Sequence, residues 1–186
     1  MSQIAREHPD KDLQLWFEDE ARVGQKGRAT HVWFEKGVRP TAPADKRFAS
    51  VCLFGAVRAG TDEAFALVMP FATAAVMRVF LQEFSKSLAP NAHAVLVLDR
   101  AGWHTARRLR VPENISLVLL PAYSPELNPV ERVWLYLREQ SLSHRVWDTV
   151  EAIFEACSRA WNDLLAEEGR LASLTGYPYL KQVRIS

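Results

Sequence analysis

The feature that most constrains the fold is an uninterrupted apolar run at residues 94–98 (AVLVL), which ends at Asp99. A strand that is apolar at every position buries both of its faces, as strands do in the centre of a parallel arrangement. The run therefore predicts a central strand of an α/β domain, with a carboxylate standing where that strand ends.

The neighbouring segments complete a pattern of strands followed by alternating helices and strands. Ala59–Asp62 suits a hairpin turn between two of the strands. Thr73 is a suitable cap for a helix that runs to about Leu88. Strands are predicted at 13–19, 47–58, 63–69, 94–99 and 115–120, with a further strand or ordered arm at 28–36. Helices are predicted at 73–88, 129–140 and 148–167, with a short one at 104–109. This order indicates an α/β fold with a mixed sheet.

Length and composition favour one globular domain. A chain of 186 residues is long enough to bury a sizeable core. A composition of 48% hydrophobic and 24% charged residues is typical of a globular protein. The predicted organisation is a lead-in at 1–12, a domain at 13–168 and a C-terminal tail at 169–186. The sequence has neither an apolar run of about 20 residues nor a signal-like N-terminus. Cys52 and Cys157 lie in apolar segments without CxxC spacing, which argues against a disulfide or a zinc site and fits a reducing cytoplasm.

Three carboxylates stand at ends of predicted elements. Asp19 and Asp99 close strands, and Glu131 lies in the first turn of a helix that begins near Pro129. Each has a plain structural alternative: a strand reaching water, a turn cap, and an acidic residue at a helix start capped by Asn128. Together they can hold two divalent cations, which stabilise the attacking and leaving oxygens of a phosphodiester. The set therefore indicates a protein that cuts or joins nucleic acid.

The charge distribution supports the same interpretation. The net charge is only +1, but residues 21–48 hold seven Lys or Arg against two acids. Residues 100–110 hold four arginines and no acid. Both stretches directly follow a candidate aspartate, where a phosphate backbone would need cations. The alternative is a pair of solvated basic loops.

Three motifs carry a family resemblance. Residues 98–104 (LDRAGWH) resemble the second catalytic motif of mariner-like transposases from bacterial insertion sequences, and residues 120–134 (LPAYSPELNPVERVW) closely resemble the third. Residues 17–21 (FEDEA) are similar to the first. The 31 residues between Asp99 and Glu131 match the spacing of that group. The resemblance covers about residues 13–140 and extends to the closing helix, and it implies a ribonuclease-H-like mixed five-stranded sheet flanked by helices.

The resemblance implies a DDE transposase or endonuclease that cleaves and transfers DNA strands at transposon ends with two Mg²⁺ ions, for which Mn²⁺ can substitute. Asp19 would bridge the two metals, Asp99 would complete one metal site and Glu131 the other. Arg100 stands where many relatives have Asn or Gly, and Ala122 stands where many have Pro. Neither position is a metal ligand.

Other residues near these motifs are candidate DNA contacts. His104 could touch a phosphate or the nucleophile, or could orient the loop. Trp103 and Tyr123 could stack on an extruded base or could pack within their loops. The candidates for phosphate contact are Arg100, His104, Arg107 and Arg108.

The implied partners are DNA, as transposon ends and target, and a second copy in a dimeric active complex, without a membrane. Only about a dozen residues precede the first predicted strand. We therefore expect an excised domain, or the catalytic half of a split bacterial element with a separate helix-turn-helix portion. The alternatives are a ribonuclease-H-like nuclease, and a decayed or domesticated copy that only binds DNA or a partner subunit. A nucleotide-binding module is disfavoured because the chain lacks a glycine-rich phosphate loop.

Overall fold

Five strands form one mixed sheet in the computed structural model, which describes residues 2–25, 49–106, 109–143 and 145–182. The strand order is β3-β2-β1-β4-β5; β1, β2 and β3 run antiparallel, whereas β1, β4 and β5 run parallel. The predicted mixed five-stranded sheet is confirmed. The strands are β1 (Asp12–Gly24), β2 (Ser50–Arg58), β3 (Ala64–Met69), β4 (Ala92–Leu98) and β5 (Ile115–Leu119). The helices are α1 (Ser2–Glu7), α2 (Ala74–Ser87), α3 (Val130–Leu137), α4 (Val150–Ala166) and α5 (Arg170–Thr175).

The predicted helices agree closely with the observed ones. The hydroxyl of Thr73 accepts a hydrogen bond from the Val76 N–H and caps α2, and Thr149 caps α4 in the same way. After Leu137, α3 continues into a π-helical turn at Arg138–Leu142. The short helix predicted at 104–109 is wrong for the described part of that segment, where residues 102–104 form a turn. The predicted strand or arm at 28–36 lies outside the described residues.

The strand β4 is buried as its apolar sequence predicts, but β1 does not end at Asp19. All seven residues of β4 are buried. The prediction that a strand closes at Asp19 is wrong, because β1 continues to Gly24 and pairs with β2 along that whole extension. Ala21 and Val23 alternate into the core and sustain the strand beyond the acidic residues. Asp19 therefore lies within a strand, opposite Gly55.

Helices cover both faces of the sheet. On one face, Phe17 and Ala21 of β1 pack with α3, α4 and α5. On the other face, Trp16 packs against the apolar side of α2, including Phe84, whose ring lies edge-on at 5.0 Å between centroids. Odd and even residues of β1 thus face different cores, as the period of a strand requires. Among the described residues, no helix combines the length and apolar character needed to cross a membrane.

Gly55 leaves space for a tryptophan beside Asp19. A Cβ at this position would lie 2.7 Å from Cη2 of Trp134 and 3.1 Å from Cη2 of Trp161. The two indoles pack together with centroids 6.0 Å apart, and Trp134 is only 2% exposed. Both rings are buried, so the absence of a side chain at Gly55 lets Trp134 occupy this position.

Gly55→Ala is expected to destabilise the chain by about 1–3 kcal/mol, because the methyl group overpacks a filled core. Gly102→Ala is the matched control, since a Cβ there meets no atom within 4 Å. Thermal denaturation of both variants beside the parent protein measures the difference. Equal melting temperatures for the two variants would contradict the steric role of Gly55.

Candidate active site

Two of the three predicted carboxylates are brought together by the pairing of parallel strands. In the register of β1 and β4, Phe17 lies opposite Val97. Asp19 and Asp99 each follow two residues later, so they stand at the same level of adjacent strands. Asp99 lies directly beyond the last residue of β4, as predicted.

Glu131 reaches the same place through the loop that precedes α3. The Asn128 side chain donates to the backbone oxygen of Glu18 at 2.9 Å and accepts from the Val130 N–H at 3.2 Å. It therefore ties the start of α3 to β1 beside Asp19. The Tyr179 hydroxyl donates to the Leu127 oxygen at 2.6 Å and holds the other side of the loop. The prediction that Asn128 caps the helix is wrong by one residue, because α3 begins at Val130 with Pro129 at its N-cap position. The Asn128 side chain instead bonds the first helical N–H from the residue before the cap.

The three carboxylates line one open cleft of about 410 Å³. Its floor is β1 and the end of β4, and its wall is the loop that leads into α3. Asp99 and Glu131 are exposed, whereas Asp19 is half-buried. The lining includes Asp19, Asp99, Arg100, Tyr123, Asn128 and Glu131. The sequence-predicted set is therefore assembled at a single site.

Asp19 is in the most unusual electrostatic environment of the three. Burial and then the charge of Glu131 raise its pKa to about 7, and Asp99 contributes in the same direction. The Trp134 indole donates to Asp19 Oδ2 at 2.9 Å and partly opposes this shift, because it favours the ionised form. Trp134 was not predicted as a site residue, since its spacing indicated only the apolar face of a helix. Like-charged carboxylates crowded in this way are suited to an oxygen-preferring cation.

Asp99 is oriented by its own turn. Its Oδ1 accepts from the Ala101 N–H and lies 2.8 Å from His104 Nδ1, with both distances equal. His104 is only 4% exposed, so it lies behind Asp99 rather than on the surface of the cleft. The structure thus places His104 against the Asp99 carboxylate from behind, and the roles suggested by the sequence stay predictions.

The remaining predicted contacts divide by exposure. Arg100 is exposed, lines the cleft and donates from Nε to the Leu120 oxygen at 2.9 Å. Tyr123 is fully exposed at the lip and has a backbone φ of 58°, which non-glycine residues rarely adopt. Trp103 packs against the core on the α2 side. The predicted contacts Arg107 and Arg108 lie outside the described residues.

A second group of polar residues lies on the opposite face of β1. His104 Nε2 is 3.3 Å from Glu18 Oε2 and 3.7 Å from Glu20 Oε2. Burial raises the pKa of Glu18 well above its usual range. Burial with the charges of Asp19 and Asp99 raises the pKa of Glu20 to about 8, and the Trp103 indole opposes that shift. Burial lowers the pKa of His104, with Asp99 opposing that shift. This group was not predicted, because β1 was expected to end at Asp19; a longer strand puts Glu18 and Glu20 on one face.

Comparison with known proteins places these observations in a family. The family model described as "DDE superfamily endonuclease" matches residues 14–153. The protein y4pE/y4sA of Sinorhizobium fredii is 42% identical over 122 residues, which are 66% of this chain and 90% of that protein.

Solved structures support the fold. The mariner Mos1 paired end complex with Mg matches with a TM-score of 0.65 at 16% identity, over 86% of this chain and 50% of that chain. A pre-cleavage Mos1 transpososome matches with a TM-score of 0.64 at 16% identity, over 92% of this chain and 53% of that chain. The predicted ribonuclease-H-like fold is confirmed. The chain spans about half the length of the Mos1 chains that it matches.

Asp19→Asn is expected to stabilise the metal-free chain at alkaline pH. In the folded state Asp19 keeps its proton up to about pH 7, but in an unfolded chain only up to about pH 4. Its contribution to stability is therefore complete below about pH 4 and is lost as the pH rises through about 7. Asparagine stays neutral and still accepts from Trp134, so the melting temperature should rise by roughly 3–6 °C at about pH 8 and by less at about pH 5.

The measurement is thermal denaturation in chelator at both pH values. Glu126→Gln removes an exposed carboxylate of the adjacent loop and serves as the control. The interpretation of Asp19 fails if Asp19→Asn changes the melting temperature equally at both pH values.

Proposed function

Because the chain belongs to the DDE superfamily of endonucleases, we propose that it is a transposase catalytic domain that cleaves DNA strands at transposon ends and transfers them to a target. The observation that carries this proposal is the convergence of Asp19, Asp99 and Glu131 on one open cleft. A nuclease centre of this class needs carboxylates from separate elements beside a groove that a DNA strand can enter.

The donor set fits Mg²⁺. The cleft offers carboxylate oxygens, and magnesium prefers hard oxygen ligands with several retained waters. Burial and the neighbouring charges that raise the pKa of Asp19 indicate a place where a cation would favour ionisation. Asp19, Asp99 and Glu131 would hold the ions. When bound, two such ions lower the pKa of a water and stabilise the leaving oxygen of a phosphodiester.

The protein residues would position the strand and the carboxylates. Trp134 holds one oxygen of Asp19, and the Ala101 N–H holds one oxygen of Asp99, so each carboxylate presents a fixed face to the cleft. Arg100 lines the same cleft and would contact a phosphate of the bound strand. Phosphate contacts of this kind position DNA without reading its sequence. We therefore propose that a separate helix-turn-helix portion recognises the transposon end, and that the active complex is a dimer.

Asp99→Asn should keep the fold and reduce Mg²⁺-dependent cleavage by at least about 10³-fold, because an amide cannot replace the charge that a metal site needs. The assay follows nicking and strand joining on a DNA end, with Mn²⁺ as a second metal and with the recognition portion supplied where the chain alone is inactive. Glu126→Gln is the matched control. Full cleavage by Asp99→Asn would remove Asp99 from the site, and nicking without joining would favour a nuclease.

Tyr123→Ala should weaken binding of single-stranded or frayed DNA by roughly tenfold, since stacking of one base on an aromatic ring contributes about 1–3 kcal/mol. The phenol is fully exposed at the lip of the cleft, where it supports no core packing. Phe71→Ala is the control, because Phe71 is also exposed but does not line the cleft. Equal affinities for the two variants in a fluorescence anisotropy titration would contradict this role.

A further inference from the structure

The cluster of Glu18, Glu20 and His104 lies on the α2 face of β1, opposite the cleft that contains Asp19. We propose that this cluster binds one divalent transition-metal ion of the Zn²⁺ class, at a site separate from the Mg²⁺ cleft. The ion would hold the turn that carries Asp99. This inference depends on the atoms of the cluster and does not require the chain to be a transposase.

The first support is a set of buried polar atoms without partners. Both carboxylate oxygens of Glu18, Oε2 of Glu20 and Nε2 of His104 are buried and make no hydrogen bond of good geometry within the described part of the chain. The same holds for the indole N–H of Trp103, which lies close enough to Glu20 to favour its ionised form. The side chains of Glu18 and His104 are fully buried. Native proteins rarely leave such groups unsatisfied, and each exception needs an explanation such as an absent ion. These atoms point toward one another rather than toward separate gaps.

The second support is the spacing of the potential ligands. One atom from each of the three residues lies within 4.8 Å of the others, and the two distances from His104 Nε2 are 3.3 Å and 3.7 Å. Bonds of about 2.0–2.2 Å to Zn²⁺ at tetrahedral angles put neighbouring ligands about 3.4 Å apart. The three side chains therefore need to move little to supply three of the four ligands of a tetrahedral site.

The third support is the partner of the other ring nitrogen of His104. A histidine that ligates a metal usually donates its second N–H to a carboxylate, which fixes the tautomer and the ring orientation. His104 Nδ1 lies 2.8 Å from Asp99 Oδ1. A proton on Nδ1 would leave Nε2 free to bind the ion. The geometry thus contains both the ligand and the group that orients it.

Charge and donor type select the ion. Two ionised glutamates would neutralise a divalent cation. Burying the cation or the glutamates without the other would cost free energy, because each charge would be unpaired. Imidazole suits Zn²⁺ and its neighbours, whereas Mg²⁺ prefers oxygen donors, so the cluster and the cleft are expected to select different metals. The cysteine pattern argued against zinc because neither thiol has a partner motif, but this site uses no cysteine.

The ion would connect the two faces of the sheet. His104 would be held by the metal through Nε2 and would hold Asp99 through Nδ1. Asp99 would therefore keep the orientation in which one of its oxygens faces the cleft. In this arrangement His104 is a positioning residue, and its effect on cleavage would pass through Asp99.

The test uses the whole chain, stripped with chelator and titrated with Co²⁺ in excess Mg²⁺, which occupies the acidic cleft. We expect one equivalent of Co²⁺ with the strong visible absorption of four-coordinate cobalt, and its displacement by Zn²⁺. Glu18→Gln should weaken this binding by at least about 100-fold, since even loss of an outer partner costs 10–100-fold. Glu131→Gln is the matched control and should bind Co²⁺ like the parent.

A measurement on the parent chain alone covers the case in which Glu18→Gln does not fold. Crystals soaked in Zn²⁺ should give an anomalous peak between Glu18, Glu20 and His104. A peak only in the cleft, or Co²⁺ binding that Glu131→Gln abolishes and Glu18→Gln leaves intact, would overturn the proposal. Absence of retained metal would also overturn it and would mean that protons satisfy the cluster.

Discussion

The constraint that the rest of the structure must satisfy is the position of three consecutive acidic residues within β1, where Glu18 is buried and Asp19 and Glu20 are half-buried. Removing a carboxylate from water is costly unless a proton, a hydrogen bond or a cation compensates. The strand alternates its side chains, so the cost is divided between two faces. Asp19 faces the cleft, where Trp134 donates one hydrogen bond, whereas the two glutamates face His104 without hydrogen bonds to their buried oxygens. The raised pKa values of Asp19 and Glu20 express the same cost.

Much of the fold could be predicted because its strongest signals are local. The apolar run before Asp99 predicted a strand buried on both faces, and β4 is buried throughout. Thr73 marks a helix start by its side-chain chemistry, and the structure confirms it as the cap of α2. The end of β1 was predicted wrongly because a run of acids normally marks the exit of a strand into water. Here the pairing with β2 continues to Gly24 and overrides that local signal, and no single-strand pattern contains such a partner.

The residues of the candidate site also differ in how far the sequence could predict them. Asp99 and Glu131 were identified from long motifs, and their convergence with Asp19 follows from the parallel register of β1 and β4 together with the tie from Asn128 to β1. Residues that act through three-dimensional contacts gave no such signal. Gly55 matters because Trp134 of α3 packs directly on it, and that contact joins residues 79 positions apart. A pattern of sequence spacing cannot reveal a steric gap of this kind.

The turn after β4 links the two polar groups. Its Asp99 belongs to the cleft, and its His104 belongs to the cluster behind the strand; a distance of 2.8 Å joins them. Any cation that fixes His104 would therefore reduce the freedom of Asp99 before a substrate binds. A carboxylate that is already held in one orientation loses no further conformational freedom during the reaction. This is the general advantage of a site whose side chains are supported by neighbouring residues. The same contact implies that a substitution in the buried cluster would first change the orientation of Asp99 in the cleft. A loss of fold stability would follow only from a more disruptive substitution.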